Sequence, residues 1–181
     1  MQTETTEHVT TTGINHRKML IWVFLGSECM FFGSLIGTYL VNYNKSIVGP
    51  WPEDVFSIPV TSVSTFVLLM SSLMMVQAYS AISKGNVRNF RIWILGTALL
   101  GATFLGFQVF EFYEFANHYG LTPKTNLFGS TFFTLTGFHG AHVTIGVIWL
   151  LSLFGASFRG LVKQKDSLSV DIAALYWHFV D

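Results

Sequence analysis

Four stretches of this sequence, Met19–Val41, Pro59–Ser83, Ile92–Phe115 and Phe128–Phe158, are each long and predominantly apolar. A helix needs about 20 such residues, rising ~1.5 Å each, to cross a hydrocarbon core of ~30 Å. Every backbone polar group must be paired inside that core, so the stretches predict transmembrane helices. A fifth apolar run, VDIAALYWHFVD, begins at Val170 and reaches Asp181. It is too short to span alone. The fold class expected is all-α: a polytopic transmembrane bundle of five helices, the fifth truncated in this sequence and continuing in a missing tail.

Composition agrees. Only 11% of the 181 residues are charged, the formal net charge is zero and the mean hydropathy is +0.50. Soluble domains carry about 25% charged residues, so too few charges remain for a polar shell. Disordered proteins and basic nucleic-acid binders are excluded on the same ground. Cys29 is the single cysteine, which leaves no intrachain disulfide and no cysteine-based metal centre. The first apolar run exceeds the ~7–15 residues of a signal-peptide core, and no small-residue cleavage site follows it. Residues 1–16 read as a polar, Thr-rich tail and residues 17–181 as one helical bundle.

Charge placement sets the expected orientation. Eight of the ten basic residues flank one set of span ends: Arg17, Lys18, Lys84, Arg88, Arg91, Arg159, Lys163 and Lys165. The other side has Lys45 and Lys124. The positive-inside rule puts the eight, and the N-terminus, in the cytoplasm. The outer loop after the first span contains three of the four prolines together with Trp51, and reads as a cap at headgroup level. Trp22, Trp93 and the basic inner loops are candidate headgroup contacts.

Ionisable groups in the bilayer are costly, so each invites a functional reading. Glu28 lies ten residues beyond Lys18, ~15 Å deep, with Phe24, Leu25, Phe31 and Phe32 as helical neighbours. None of these can pair with it, so its partner must come from another helix. His139 and His142 share one face of the fourth span at i, i+3, and depth counting brings them and His178 to the same layer. A hydrogen bond from Glu28 to His139 or His142 is the expectation. The histidines also admit two other readings, as metal or haem ligands or as interhelical hydrogen-bonding groups in a Gly-rich helix. A lone His-x-x-His pair is weak evidence for the first. Gln108 and Glu111 lie one turn apart on the third span; Glu111 reads equally as facing the bundle or as an interface-anchored acid, and Glu114 reads as an interface anchor. Gly33 and Gly37, and the Ser/Thr-rich start of the second span, read as helix-contact surfaces. No phosphate-binding Gly loop, nucleophile elbow or cysteine pair is present, and the chain shows no active site of its own.

Four runs together resemble a known family: FLGSECMFFGSLIGTYL in the first span, GFQVFEF in the third, FFTLTGFHGAHVTIGVIWL in the fourth and YWHFVD at the end. In this order they are similar to subunit III of haem-copper terminal oxidases, in its short five-helix bacterial form, over residues 17 to 181. The resemblance implies a subunit without haem or copper of its own; those centres lie in the partner catalytic subunits. It implies packing against the catalytic subunit I among other oxidase subunits, bound phospholipid in a cleft, and a role in sustaining proton uptake and the durability of the active site. Its setting would be the bacterial plasma membrane.

On these positions Glu28 falls on the carbodiimide-reactive carboxylate of the family's SE-x-x-FF motif. His139 and His142 fall on the HG-x-H pair, which the family makes structural rather than metal-binding. Glu111 falls on the acid of the third span, and Trp177, His178 and Asp181 on the WHFVD motif. In the family that motif opens a final helix which runs on for about another span. Three alternatives use the same residues: an accessory protein resembling subunit III that serves a nitric oxide reductase, a small proton-relay or transport protein, and a b-type cytochrome ligated by histidines from two helices.

Overall fold

The computed structural model describes residues 13, 15–43, 45–46, 49 and 58–181. Most of the Thr-rich tail and the loop with Trp51 lie outside the described residues. The helices are α1 (His16–Asn42), α2 (Ile58–Ser83), α3 (Val87–Asn117), α4 (Leu127–Phe158) and α5 (Ser167–Val180), with a short 3-10 turn, Gln164–Asp166, ahead of α5. Four of them are long and apolar enough to cross a membrane.

Asparagine starts three helices. The side chains of Asn15, Asn86 and Asn126 accept hydrogen bonds from the N–H groups of Arg17 (3.0 Å), Asn89 (3.1 Å) and Gly129 (2.7 Å), satisfying donors that the first turn leaves free. The Asn86 cap explains why α3 begins five residues before the apolar run at Ile92: the cap, not hydropathy, sets the start. Glycine ends two helices. Gly85 and Gly160 take φ of +75° and +70°, where a side chain would be strained. After each, the next N–H bonds back over the last turn, Asn86 to the Ala81 carbonyl (2.9 Å) and Leu161 to Ala156 (3.2 Å).

The α2–α3 hairpin is the most extensive pairing; α4 packs on α3, and α1 on α4 and α5. α5 is short but central, touching α1, α2 and α4. Its Trp177 is fully buried and donates its indole N–H to Ser71 Oγ on α2 at 3.0 Å. A Cβ on Gly101 of α3 would lie 2.5 Å from this indole, and one on Gly146 of α4 2.9 Å from it. Glycine at both positions is what allows the ring to fit between the helices.

The basic ends gather at one end of the bundle. Lys18 Nζ meets Asp171 Oδ2 at 2.7 Å, joining the starts of α1 and α5. Arg91 donates to the Ser157 carbonyl (2.6 Å) and hydroxyl (3.0 Å) and lies 4.3 Å over the Phe158 ring, tying the start of α3 to the end of α4. Gln164 donates to the Ser83 carbonyl at 2.9 Å. At the opposite end, Ser46 Oγ accepts from the Phe128 N–H at 3.0 Å.

One expectation is corrected. The Cβ positions of Gly33 and Gly37 face open space, so neither forms a helix contact among the described residues. The inward face of α1 is instead the one carrying Ile21 and Leu25, both buried, with Glu28 and Phe32 continuing it. The start of α2 does pack as expected: Ser64 is buried and Thr61 bonds across to α3.

Candidate functional site at the helix junction

Glu28 lies within ion-pair distance of an imidazole, although its Oε2 makes no hydrogen bond among the described residues. Its Oε2 is 3.2 Å from His142 Nε2, and both side chains are largely buried, at 17% exposure each. The contact joins α1 to α4. Aromatic rings enclose it: Phe32 stands edge-on to the His142 ring at 5.1 Å, and Phe31 edge-on to Phe138 at 5.1 Å. From α5, the Tyr176 hydroxyl donates to the His142 carbonyl at 3.1 Å, and its ring packs on Phe24 and Trp149.

The other ring nitrogen of His142 fixes the proton chemistry. Nδ1 lies 2.8 Å from the Phe138 carbonyl, which can only accept, so Nδ1 carries the hydrogen. A neutral ring then presents a lone pair at Nε2, facing Glu28. Ionised Glu28 against that lone pair is repulsive, and one added proton turns the contact into an attraction. The proton rests on Oε2 or on Nε2, and the pair goes from a charge of −1 to zero. The two facing atoms can thus hold one proton between them.

Of the three histidines expected in this layer, the structure brings only His142 to Glu28. His178 faces α2, with Nδ1 2.6 Å from Ser72 Oγ. His139 stands edge-on to Phe104 on α3 at 5.6 Å. Gln108 donates to the Thr136 carbonyl at 2.6 Å, and Glu111 Oε1 is 3.2 Å from Thr61 Oγ. Asp181 follows α5, its N–H bonded to the Trp177 carbonyl at 2.9 Å, and lines the same cavity as Gln108, Glu111 and His139. Trp177 and its motif neighbours serve packing through Ser71 and the two glycines. Among the described residues, no group of three or more His, Cys, Asp and Glu could hold a metal ion. The sequence reading missed Ser71 and Ser72, whose hydroxyls receive Trp177 and His178. An adjacent serine pair in the middle of an apolar run was the signal for them.

Gly140 on α4 lies against Gln108 of α3: a Cβ there would lie 2.6 Å from Gln108 Oε1. Gly140→Leu is therefore expected to push Gln108 off Thr136 and to destabilise the bundle by about 1–3 kcal/mol, the usual cost of overpacking. Thermal unfolding of the detergent-solubilised protein checks this, and an unchanged midpoint would show that the contact is not tight.

The full chain, residues 1–181, matches the family model described as cytochrome c oxidase subunit III. It is 39% identical over 160 residues to cytochrome c oxidase subunit 3 of Bacillus sp. (strain PS3), an alignment covering 88% of this chain and 77% of that protein. It is 38% identical over 161 residues to quinol oxidase subunit 3 of Bacillus spizizenii, covering 88% and 78%. It is 36% identical over 161 residues to cytochrome bo(3) ubiquinol oxidase subunit 3 of Pseudomonas aeruginosa, covering 88% and 76%.

Proposed function

Because the chain belongs to the cytochrome c oxidase subunit III family, we propose that it supports proton uptake and the durability of a respiratory haem-copper oxidase, through a protonatable group where α1 meets α4. As a member it is a membrane subunit of an oxidase complex. The partner against which it packs is the catalytic subunit I, which holds the haem and copper. The complex resides in a bacterial plasma membrane, with the basic bundle end and the N-terminus in the cytoplasm. Phospholipid fills the grooves between this subunit and its neighbours.

The observation that carries the reading is the Glu28–His142 contact. It is largely shielded and lies where two helices meet, so a proton held there would bear on how α1 packs. The chain itself moves no electrons in this mechanism. Its residues hold a proton at Oε2 or Nε2, exclude lipid from the pair with Phe32 and Tyr176, and brace α5 through Trp177.

Purification through a tag on this chain in a gentle detergent tests the assignment. A reduced-minus-oxidised haem spectrum and oxygen consumption are expected from a co-purifying large subunit. A chain that emerges alone and colourless would overturn it.

A further inference from the structure

A cavity of about 250 Å³, partly open at the surface, lies between α2, α3 and α4. Among its lining residues are Thr61, Thr65, Gln108, Glu111, Thr136 and His139. Three of these side chains leave polar capacity unused, as does Asp181 on the same wall, whose two carboxylate oxygens are buried without a partner among the described residues. Gln108 spends its amide N–H on Thr136, and its Oε1 is buried with no hydrogen-bond partner among the described residues. Glu111 has one short contact, to Thr61. His139 has only ring contacts: neither imidazole nitrogen is hydrogen-bonded within the described residues.

An imidazole always carries at least one N–H to donate, and when neutral a lone pair as well. Leaving such groups bare in hydrocarbon costs several kcal/mol each. Among the described residues no side chain or carbonyl completes these groups, whereas the space beside them has room for water. A water molecule takes about 30 Å³ of liquid and needs two to four polar partners, so the cavity has room for several. His139 also lines a second cavity, of about 340 Å³ between α1, α4 and α5, which His142 lines as well. Its ring is thus common to the walls of both.

We propose that the cavity between α2, α3 and α4 holds water within the membrane, hydrogen-bonded to Gln108, Glu111 and His139, and that this water brings protons past His139 to the Glu28–His142 pair. A hydronium ion delivers one proton, leaving water behind, and the ionised pair becomes the neutral one-proton pair. The ligand class is water and its excess proton. The delivery step rests on the reading of Glu28 given above, whereas the hydration does not.

Substituted cysteines in the native membrane test it, because a thiol reacts with a water-soluble methanethiosulfonate only where water ionises it. In a Cys29→Ser background, Ser64→Cys, at a buried wall position of α2, and Thr136→Cys on α4 report the cavity from two helices. Val109→Cys and Ile145→Cys, both outward-facing and exposed, report the apolar exterior. Labelling, read as the mass of the chain, is expected to be at least tenfold faster at the two cavity positions. Equal rates at all four, whether from a dry cavity or a disrupted bundle, would overturn the proposal. The readout is on this chain alone, so it is independent of whether haem co-purifies.

Discussion

Trp177→Ala is expected to be the most damaging single truncation in the bundle. The indole is the largest fully buried side chain, and it lies against three other helices at once. Its N–H ends on Ser71 of α2, its ring edge fills the space over Gly101 of α3, and its other edge that over Gly146 of α4. Removing a buried Trp or Phe costs about 3–5 kcal/mol in water-soluble cores, part of it the transfer of the ring from water. In a membrane that part shrinks, because lipid is as apolar as the core. The packing loss and the cavity remain, and Ser71, wholly buried, loses its donor. A destabilisation near the lower end of that range is expected, read as a lower thermal midpoint and loss of α5 from the protease-resistant core. Gly101→Leu should do comparable harm by the opposite route, since its Cβ alone would meet the indole at 2.5 Å. Wild-type stability in both variants would mean that α5 is not the wedge described.

These two glycines also show what sequence can and cannot reveal. Crossing a membrane imposes a length and an apolarity that local sequence must satisfy, so the spans and their order were legible from the apolar runs. Helix contacts impose no such local signature. Gly33 and Gly37 have the four-residue spacing of a packing motif and touch nothing among the described residues. Gly146, with His142 and Leu150 at that spacing, receives the tryptophan. Which face a small residue lies on relative to its neighbours depends on how the helices cross, and that is set by the whole bundle. The site was legible to the same depth. Isolation of Glu28 among phenylalanines demanded a partner from elsewhere, and the i, i+3 histidines supplied two candidates on one face. Choosing between them required the α1–α4 contact, which places Nε2 of His142 at Oε2 of Glu28 and turns His139 toward Phe104. The role of Nδ1 was equally hidden, because it rests on a backbone carbonyl rather than on any residue type.

Glu28→Gln and Glu28→Ala are expected to separate the packing of this pair from its chemistry. Glutamine fills the same space, and its amide N–H can donate to the lone pair at His142 Nε2. The variant should therefore fold and assemble as the wild type does, with the contact held by a neutral side chain. It can neither lose nor accept the proton, and it offers no carboxyl for a carbodiimide. Alanine removes the contact outright and leaves Nε2 largely buried without a partner, at a cost of about 1–3 kcal/mol. Proton-uptake kinetics and operational lifetime of the purified oxidase, measured across pH for all three proteins, read the difference directly. A lost carbodiimide adduct with altered uptake or shortened lifetime in Glu28→Gln, despite normal assembly, assigns the effect to the proton. If turnover and lifetime match the wild type in both variants at every pH, Glu28 has no part in the oxidase reaction, and its contact with His142 is packing alone.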